Sequence, residues 1–128
     1  RDFKVSFVFE TPSKKYDLPG VDVVNQADVL LVSARRRPLP KAQLDVIRKY
    51  VASGKPVVGI RTASHAFHLM KDQPAGLDAW VDIDKEMVGG NYKGHTSNTS
   101  KGICWPLENV KHPILTGIPA GEFQTGGT

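Results

Sequence analysis

The feature that most constrains the fold is a pair of short apolar runs on either side of one amphipathic segment. Residues 29–33 are Val-Leu-Leu-Val-Ser and residues 56–60 are Pro-Val-Val-Gly-Ile. Continuous apolar runs of this length are typical of buried parallel strands, because helices cover both of their faces. Residues 40–53 place apolar side chains on one helical face, and Gly54 suits a left-handed C-terminal cap. The pattern predicts a βαβ unit with a right-handed crossover.

Other segments show weaker patterns. Phe3, Val5, Phe7 and Phe9 alternate with less apolar residues, which predicts a further strand over residues 3–9. Residues 21–26 can form a short helix at most, and short helices are also predicted over 63–69 and from 80 to Gly89-Gly90. The last part of the chain is predicted to contain a loop over 91–102, a strand over 103–107 and a turn over 113–116.

Composition indicates one soluble globular domain spanning residues 1–128. The chain has 17 basic and 13 acidic residues, a net charge of +4 and a single cysteine, Cys104. One cysteine excludes an internal disulfide framework and a multi-cysteine zinc site. No apolar run approaches the roughly 20 residues that span a bilayer. No nucleic-acid motif is present, and the oligomeric state stays open. The cytoplasm is slightly favoured as the compartment. The question stays open, because the chain has the character of a fragment from which a signal peptide could be missing.

Polar groups follow three of the predicted strands. These are Glu10 with Thr11, Ser33 with Arg35, and Arg61 with Thr62. In an open α/β sheet, ligands bind at the carboxyl ends of parallel strands, so topology alone would gather these groups at one edge. The alternative is that polar residues simply terminate strands.

A tight turn is predicted after the run at residues 56–60. Gly59, Arg61 and Ala63 have the small-x-residue-x-small spacing of a nucleophile elbow, in which small neighbours permit a sharp bend. Arginine stays protonated and cannot attack a carbonyl carbon. It can hold an anion, a carboxylate or a polyhydroxyl ligand through its planar donors. The sequence therefore predicts elbow geometry without a nucleophile.

The segment from Pro56 to His65 resembles the elbow region of class I glutamine amidotransferases, with the cysteine replaced. Together with residues 27–32, 50–54 and 89–95, it is most similar to the ThuA-like (trehalose utilisation) family. This resemblance implies an α/β fold, a flavodoxin-like three-layer sandwich with a mainly parallel sheet, incomplete at both ends of this chain. It also implies a role in the metabolism of trehalose or a related disaccharide or keto-sugar. Members commonly carry histidine at the elbow, where this chain has Arg61.

The histidines are the candidates for proton transfer. His65 follows the elbow and His95 lies in a glycine-rich segment that resembles the family, so either could act as general acid or base near neutral pH. His65 and His68 are three residues apart and could chelate a divalent metal on a helix. No third ligand follows at a fixed spacing, so a metal cofactor stays open, and His68 could equally be a surface group.

Arginines and a few polar side chains are the candidates for ligand binding. Arg61 is expected to anchor a small sugar-like ligand, with Thr62, Arg35 and Asn91 orienting it. Tyr92 could stack on a sugar ring or pack in the core. The alternative function is a non-catalytic binding or scaffolding domain with an amidotransferase-like shape. Glutaminase activity is excluded because Arg61 stands where the thiolate is required.

Overall fold

The computed structural model describes residues 2–97 and 99–125. The chain divides into two compact units, Arg1–Tyr92 and Lys93–Thr128. Elements of the first unit, in chain order, are a 3-10 helix (Val21–Gln26), β1 (Leu30–Val32), β2 (Leu39–Pro40), α1 (Lys41–Ala52), β3 (Val57–Gly59), a 3-10 helix (Arg61–His65), β4 (Leu77–Asp78) and a π-helical turn (Asp84–Val88).

The predicted βαβ unit is confirmed. Strands β1 and β3 pair in parallel, with Leu31 opposite Val58. The pairing is extended at one end by the Leu30 N–H bond to Pro56 and at the other by the Ile60 N–H bond to Val32. Helix α1 connects the two strands, as the amphipathic spacing predicts.

Helix α1 forms because its apolar residues occupy one face and its end is capped. Leu44, Ile47 and Tyr50 are all buried, and the Tyr50 hydroxyl donates to the Pro56 carbonyl at 3.1 Å. Gly54 follows the helix with φ of 75°, the left-handed conformation predicted from the sequence. The cap turns the chain directly into β3, which places the second strand beside the first.

The β1–β3 sheet packs against the core through one face. Alternate residues of the two strands pack against a core that also includes the α1 side chains Leu44 and Ile47. The residues on the other face are exposed although they are apolar: Val29, Leu31, Val58 and Ile60. The fold is therefore mixed α/β with one parallel strand pair. The other two strand pairs of the described residues, β2–β4 and one in the second unit, are antiparallel.

The predicted strand over residues 3–9 is wrong. This segment contains neither helix nor strand, and the side chains of Phe3, Val5, Phe7 and Phe9 are exposed. Alternation gives a segment the side-chain pattern of a strand, but a strand also needs a neighbouring edge that bonds its backbone. No described strand provides that edge. Val8 alone in this segment packs against the core.

The shorter elements differ from prediction mainly in their boundaries. The predicted helix over 63–69 is a 3-10 helix that begins two residues earlier and ends at His65. The predicted helix ending at Gly89-Gly90 is a π-helical turn, and Gly89 has a φ of 68°. Strands β2 and β4 were not predicted, because each is only two residues long and lacks a periodic pattern.

The second unit contains three described elements. Strands β5 (Gly102–Cys104) and β6 (Phe123–Thr125) pair in an antiparallel ladder, and Pro113–Leu115 forms the predicted turn as a 3-10 helix. In the described part of the chain, no helix has the length and apolar character needed to cross a membrane.

Arg48 connects helix α1 to the β2–β4 pair. Its guanidinium donates to the Asp78 carboxylate at 2.6 Å and to the Ala79 carbonyl at 2.9 Å, and it lies 5.7 Å from the centre of the Trp80 ring. The hydrogen bond from Arg48 is the main factor lowering the pKa of the Asp78 carboxyl. The pair therefore stabilises the folded state while Asp78 is ionised.

We predict that Arg48→Met lowers the free energy of unfolding by about 1–2 kcal/mol at neutral pH, because it removes charge-assisted hydrogen bonds. A lowered folded-state pKa means that this contribution is present above the ordinary carboxyl value of 3.8 and is lost as pH falls through the pKa of folded Asp78. Urea unfolding from neutral to acid pH should show wild type and variant converging at the acid end. Lys49→Met, an exposed change on the same helix, is the control. A difference that stays constant with pH would contradict this assignment.

Candidate ligand site at the ends of the parallel strands

The chain turns sharply at Arg61, one residue beyond Ile60. Ile60 is extended, with φ of −113°, whereas Arg61 has φ of 53° and begins the 3-10 helix Arg61–His65. A left-handed conformation costs a residue with a Cβ about 1–2 kcal/mol. Backbone strain of this kind persists only where the surrounding structure imposes it, and it is concentrated at functional sites.

Small residues make this turn sterically feasible. A Cβ atom at Gly59 would lie 3.0 Å from the Ala63 Cβ and 3.3 Å from a Val88 methyl carbon. Such contacts are tighter than ordinary packing allows, so the close approach of strand and helix depends on glycine at this position. The structure therefore has the tight elbow backbone predicted from the spacing of Gly59, Arg61 and Ala63.

Hydrogen bonds join the loop after β1 to the turn after β3. The Thr62 hydroxyl donates to the Ala34 carbonyl at 2.7 Å, and the Arg36 N–H donates to the His65 carbonyl at 3.1 Å. These bonds bring the two loops together at the same end of the parallel pair. The hydroxyl proton of Thr62 is therefore used to join the loops.

Four arginines occupy these two loops, and two of them have partners within the chain. We call Arg35, Arg36, Arg37 and Arg61 the strand-end arginine cluster. Arg37 pairs with the Glu10 carboxylate at 2.8 Å. Arg36 donates to the Leu69 carbonyl at 3.2 Å, and its own φ is 48°. Both side chains hold neighbouring segments against the loop after β1.

The other two members of the cluster are exposed. Arg35 and Arg61 both lie at the surface. Among residues 2–97 and 99–125, no carboxylate lies within ion-pair distance of either guanidinium. Their planar donors are available to solvent and to a ligand, which is the arrangement that anion recognition requires.

His65 lies beneath this surface. It is 7% exposed, and its Nδ1 is 3.2 Å from the Ser64 hydroxyl oxygen. The Tyr92 ring stacks on the imidazole with ring centres 4.5 Å apart. The Tyr92 N–H donates to the Asp84 carboxylate, which anchors the stacking residue from the π-helical turn. Two predicted site residues, His65 and Tyr92, are therefore in direct contact.

The remaining candidates lie elsewhere. Asn91 is exposed beside Tyr92 in the chain. His95 belongs to the second unit, where its Nδ1 lies 2.8 Å from the Thr96 carbonyl oxygen. His68 is partly buried, and its Nδ1 has no hydrogen-bond partner among the described residues. No group of three or more metal-ligating side chains is present within the described ranges.

Two surface cavities lie away from the elbow. One cavity of about 120 Å³ lies between the 3-10 helix Val21–Gln26 and α1, and another is lined by residues of the segment 111–116 in the second unit. Neither is lined by Arg61, Arg35 or His65. The candidate site is therefore described by its exposed side chains and its backbone geometry.

Sequence reasoning missed two residues that shape this site. Ser64 contacts His65, and Asp84 anchors Tyr92. The structure places Gly90 against Asp84, since a Cβ atom there would lie 2.5 Å from an Asp84 carboxylate oxygen, but this proximity is not visible in the sequence. Nothing in the sequence indicated the backbone conformation of Arg36.

Comparisons with known proteins found no match. No protein-family model, curated protein or solved structure is significantly similar to the chain. The function is therefore argued from the site itself and from the resemblance described above.

We predict that Arg61→Gly is more stable than Arg61→Ala by about 0.5–1 kcal/mol, because glycine adopts a positive φ without a Cβ penalty. The two variants remove the same guanidinium and differ only by a methyl group, so electrostatic effects cancel in the comparison. Thermal and urea unfolding measure the difference. Equal stability, or a more stable alanine variant, would show that residue 61 is not in the left-handed region.

Proposed function

We propose that this chain binds a small sugar-like ligand at the ends of β1 and β3, within a flavodoxin-like, ThuA-like domain of carbohydrate metabolism. The observation that carries the proposal is the exposed Arg61 on a strained backbone at the carboxyl end of a parallel strand. Ligand sites of open α/β sheets lie at such ends. The resemblance to the ThuA-like family supplies the sugar-like class of ligand.

Each candidate residue has a distinct role in this proposal. Arg61 anchors the ligand through its guanidinium, and Arg35 contributes a second set of donors from the adjacent loop. Thr62 fixes the separation of the two loops through its bond to Ala34. Asn91 offers an amide at the surface beside Tyr92. Sugars suit such a set because their hydroxyl groups accept hydrogen bonds from planar donors.

Proton transfer in this proposal falls to His65, with His95 as the second candidate. His65 is held by Ser64 and by the stacked Tyr92 ring, so its orientation is defined. Imidazole has an ordinary pKa close to neutrality, which suits a general acid or base. His95 belongs to the second unit.

A second candidate function is a binding or scaffolding domain without catalysis. Two observations favour it: the elbow position holds an arginine that cannot act as a nucleophile, and the buried His65 is only 7% exposed. In this alternative the chain binds the same ligand at the same site but catalyses no reaction. It differs from the first proposal in one measurable property, which is turnover.

The proposal predicts saturable sugar binding that depends on Arg61. A panel of monosaccharides, disaccharides, their 3-keto derivatives and their acidic forms is titrated into 15N-labelled protein. We expect concentration-dependent shifts of the amide signals of Arg35, Arg36 and Thr62, and their loss in Arg61→Gln. Lys49→Gln removes the same charge from an exposed position on α1 and should leave the shifts unchanged. If no sugar of the panel shifts these amides, the proposal is wrong.

Turnover separates the two candidate functions. The same panel is incubated with the protein, with and without divalent metal ions, and products are followed by mass spectrometry and 1H NMR. Hydrolysis or isomerisation that is abolished by His65→Gln supports the catalytic role. Binding without conversion supports the non-catalytic domain.

A further inference from the structure

The charge of the strand-end arginine cluster constrains the ligand further. Among the described residues, Arg37 is the one member of the cluster with a carboxylate partner, which is Glu10. Arg36 is satisfied by a neutral carbonyl, so its positive charge is not compensated. Arg35 and Arg61 have no acidic partner in the ranges that the structure describes. Three positive charges therefore lie on two adjoining loops without an ion pair to any residue that the structure describes.

The carboxylates of the neighbouring π-helical turn do not neutralise this cluster through contacts. The Asp84 carboxylate accepts the Tyr92 N–H, and the Glu86 carboxylate accepts the indole N–H of Trp80 at 2.9 Å. Neither forms an ion pair with a cluster arginine. Their contacts with neutral donors anchor the turn and the stacked tyrosine.

The two exposed arginines are held near each other by the backbone. Arg35 follows Ala34 directly, and Arg61 precedes Thr62 directly. The 2.7 Å hydrogen bond between Thr62 and Ala34 therefore joins the residues adjacent to both arginines. Because Arg61 is also confined to a left-handed backbone, the origin of its side chain is fixed. The pair offers two planar donor groups from adjoining loops that a hydrogen bond holds together.

We infer that the ligand of this site is an anionic sugar, whose carboxylate or phosphate group binds Arg61 and Arg35. A neutral sugar would satisfy donor groups and leave the positive charge of the loops uncompensated. A carboxylate or phosphate accepts the same hydrogen bonds and also compensates the positive charge. Guanidinium groups match the geometry of these oxyanions and bind them through parallel hydrogen bonds. This inference rests on the proposed function and narrows its substrate class to sugar acids and sugar phosphates.

Matched ligand pairs test this inference. Glucose is compared with glucuronate and with glucose 6-phosphate by calorimetry and by amide shifts at Arg35 and Thr62. We expect each anionic form to bind at least about tenfold more tightly than glucose, which is the usual effect of one charge-assisted contact. The preference should weaken as salt is added, because exposed charges are screened.

Substitutions locate the charge that is recognised. In Arg61→Gln and in Arg35→Gln, the preference for the anionic form should fall about tenfold or more, whereas Lys49→Gln should retain it. Arg61→Lys keeps the charge and loses the planar fork, so it should bind less tightly than wild type and more tightly than Arg61→Gln. Circular dichroism confirms that each variant is folded.

The outcomes distinguish this inference from the proposed function. If glucose binds as tightly as its anionic forms, the anionic class is wrong and the sugar site stands. If inorganic phosphate and acetate bind as tightly as the corresponding sugars, the site binds anions and the proposal of a sugar ligand is wrong. If none of these probes shifts the elbow amides, the anionic class is wrong, and the wider sugar panel described above decides whether the sugar site stands. Preference for glucuronate over glucose 6-phosphate, or the reverse, identifies the oxyanion.

Discussion

The parallel pairing of β1 with β3 is the constraint on which the candidate site depends. Its register places Val32 opposite Gly59, so both strands end at the same edge and the loops that follow them must meet. Helix α1 makes this pairing feasible, because two parallel strands need a crossover between them. The hydrogen bonds of Thr62 and Arg36 then join the loops. Topology thus brings the loops that carry Arg35 and Arg61 to the same edge of the sheet, and two hydrogen bonds between the loops hold them together.

The βαβ unit could be predicted because each of its signals is local. Apolar runs, helical spacing and the cap at Gly54 all occur within a few residues of the element that they specify. The strand over residues 3–9 could not be judged in the same way, because its alternation says nothing about whether a partner edge exists. Two-residue strands such as β2 carry no period at all. Local patterns therefore predicted elements well only where the element's partner was also visible in the sequence.

The candidate site shows the same division between local and long-range information. The elbow was predictable because Gly59, Arg61 and Ala63 lie within five positions, and steric limits alone make small neighbours necessary. The contact between His65 and Tyr92 was not, because it depends on how the turn after β4 returns to the elbow. The partners of Arg36 and Arg37 were equally hidden, since they lie far away along the chain. Only the structure separates the arginines that are engaged from those that are exposed.

The one-sided packing of the β1–β3 sheet has an energetic consequence for the whole first unit. Val29, Leu31, Val58 and Ile60 remain 40–58% exposed, so a large part of their apolar area adds nothing to the hydrophobic driving force of folding. The cohesion of the strands then depends on the opposite face, where α1 supplies Leu44 and Ile47. A small loss of packing along that helix would consequently loosen the strand ends as well, which couples the rigidity of the loops to a surface remote from them.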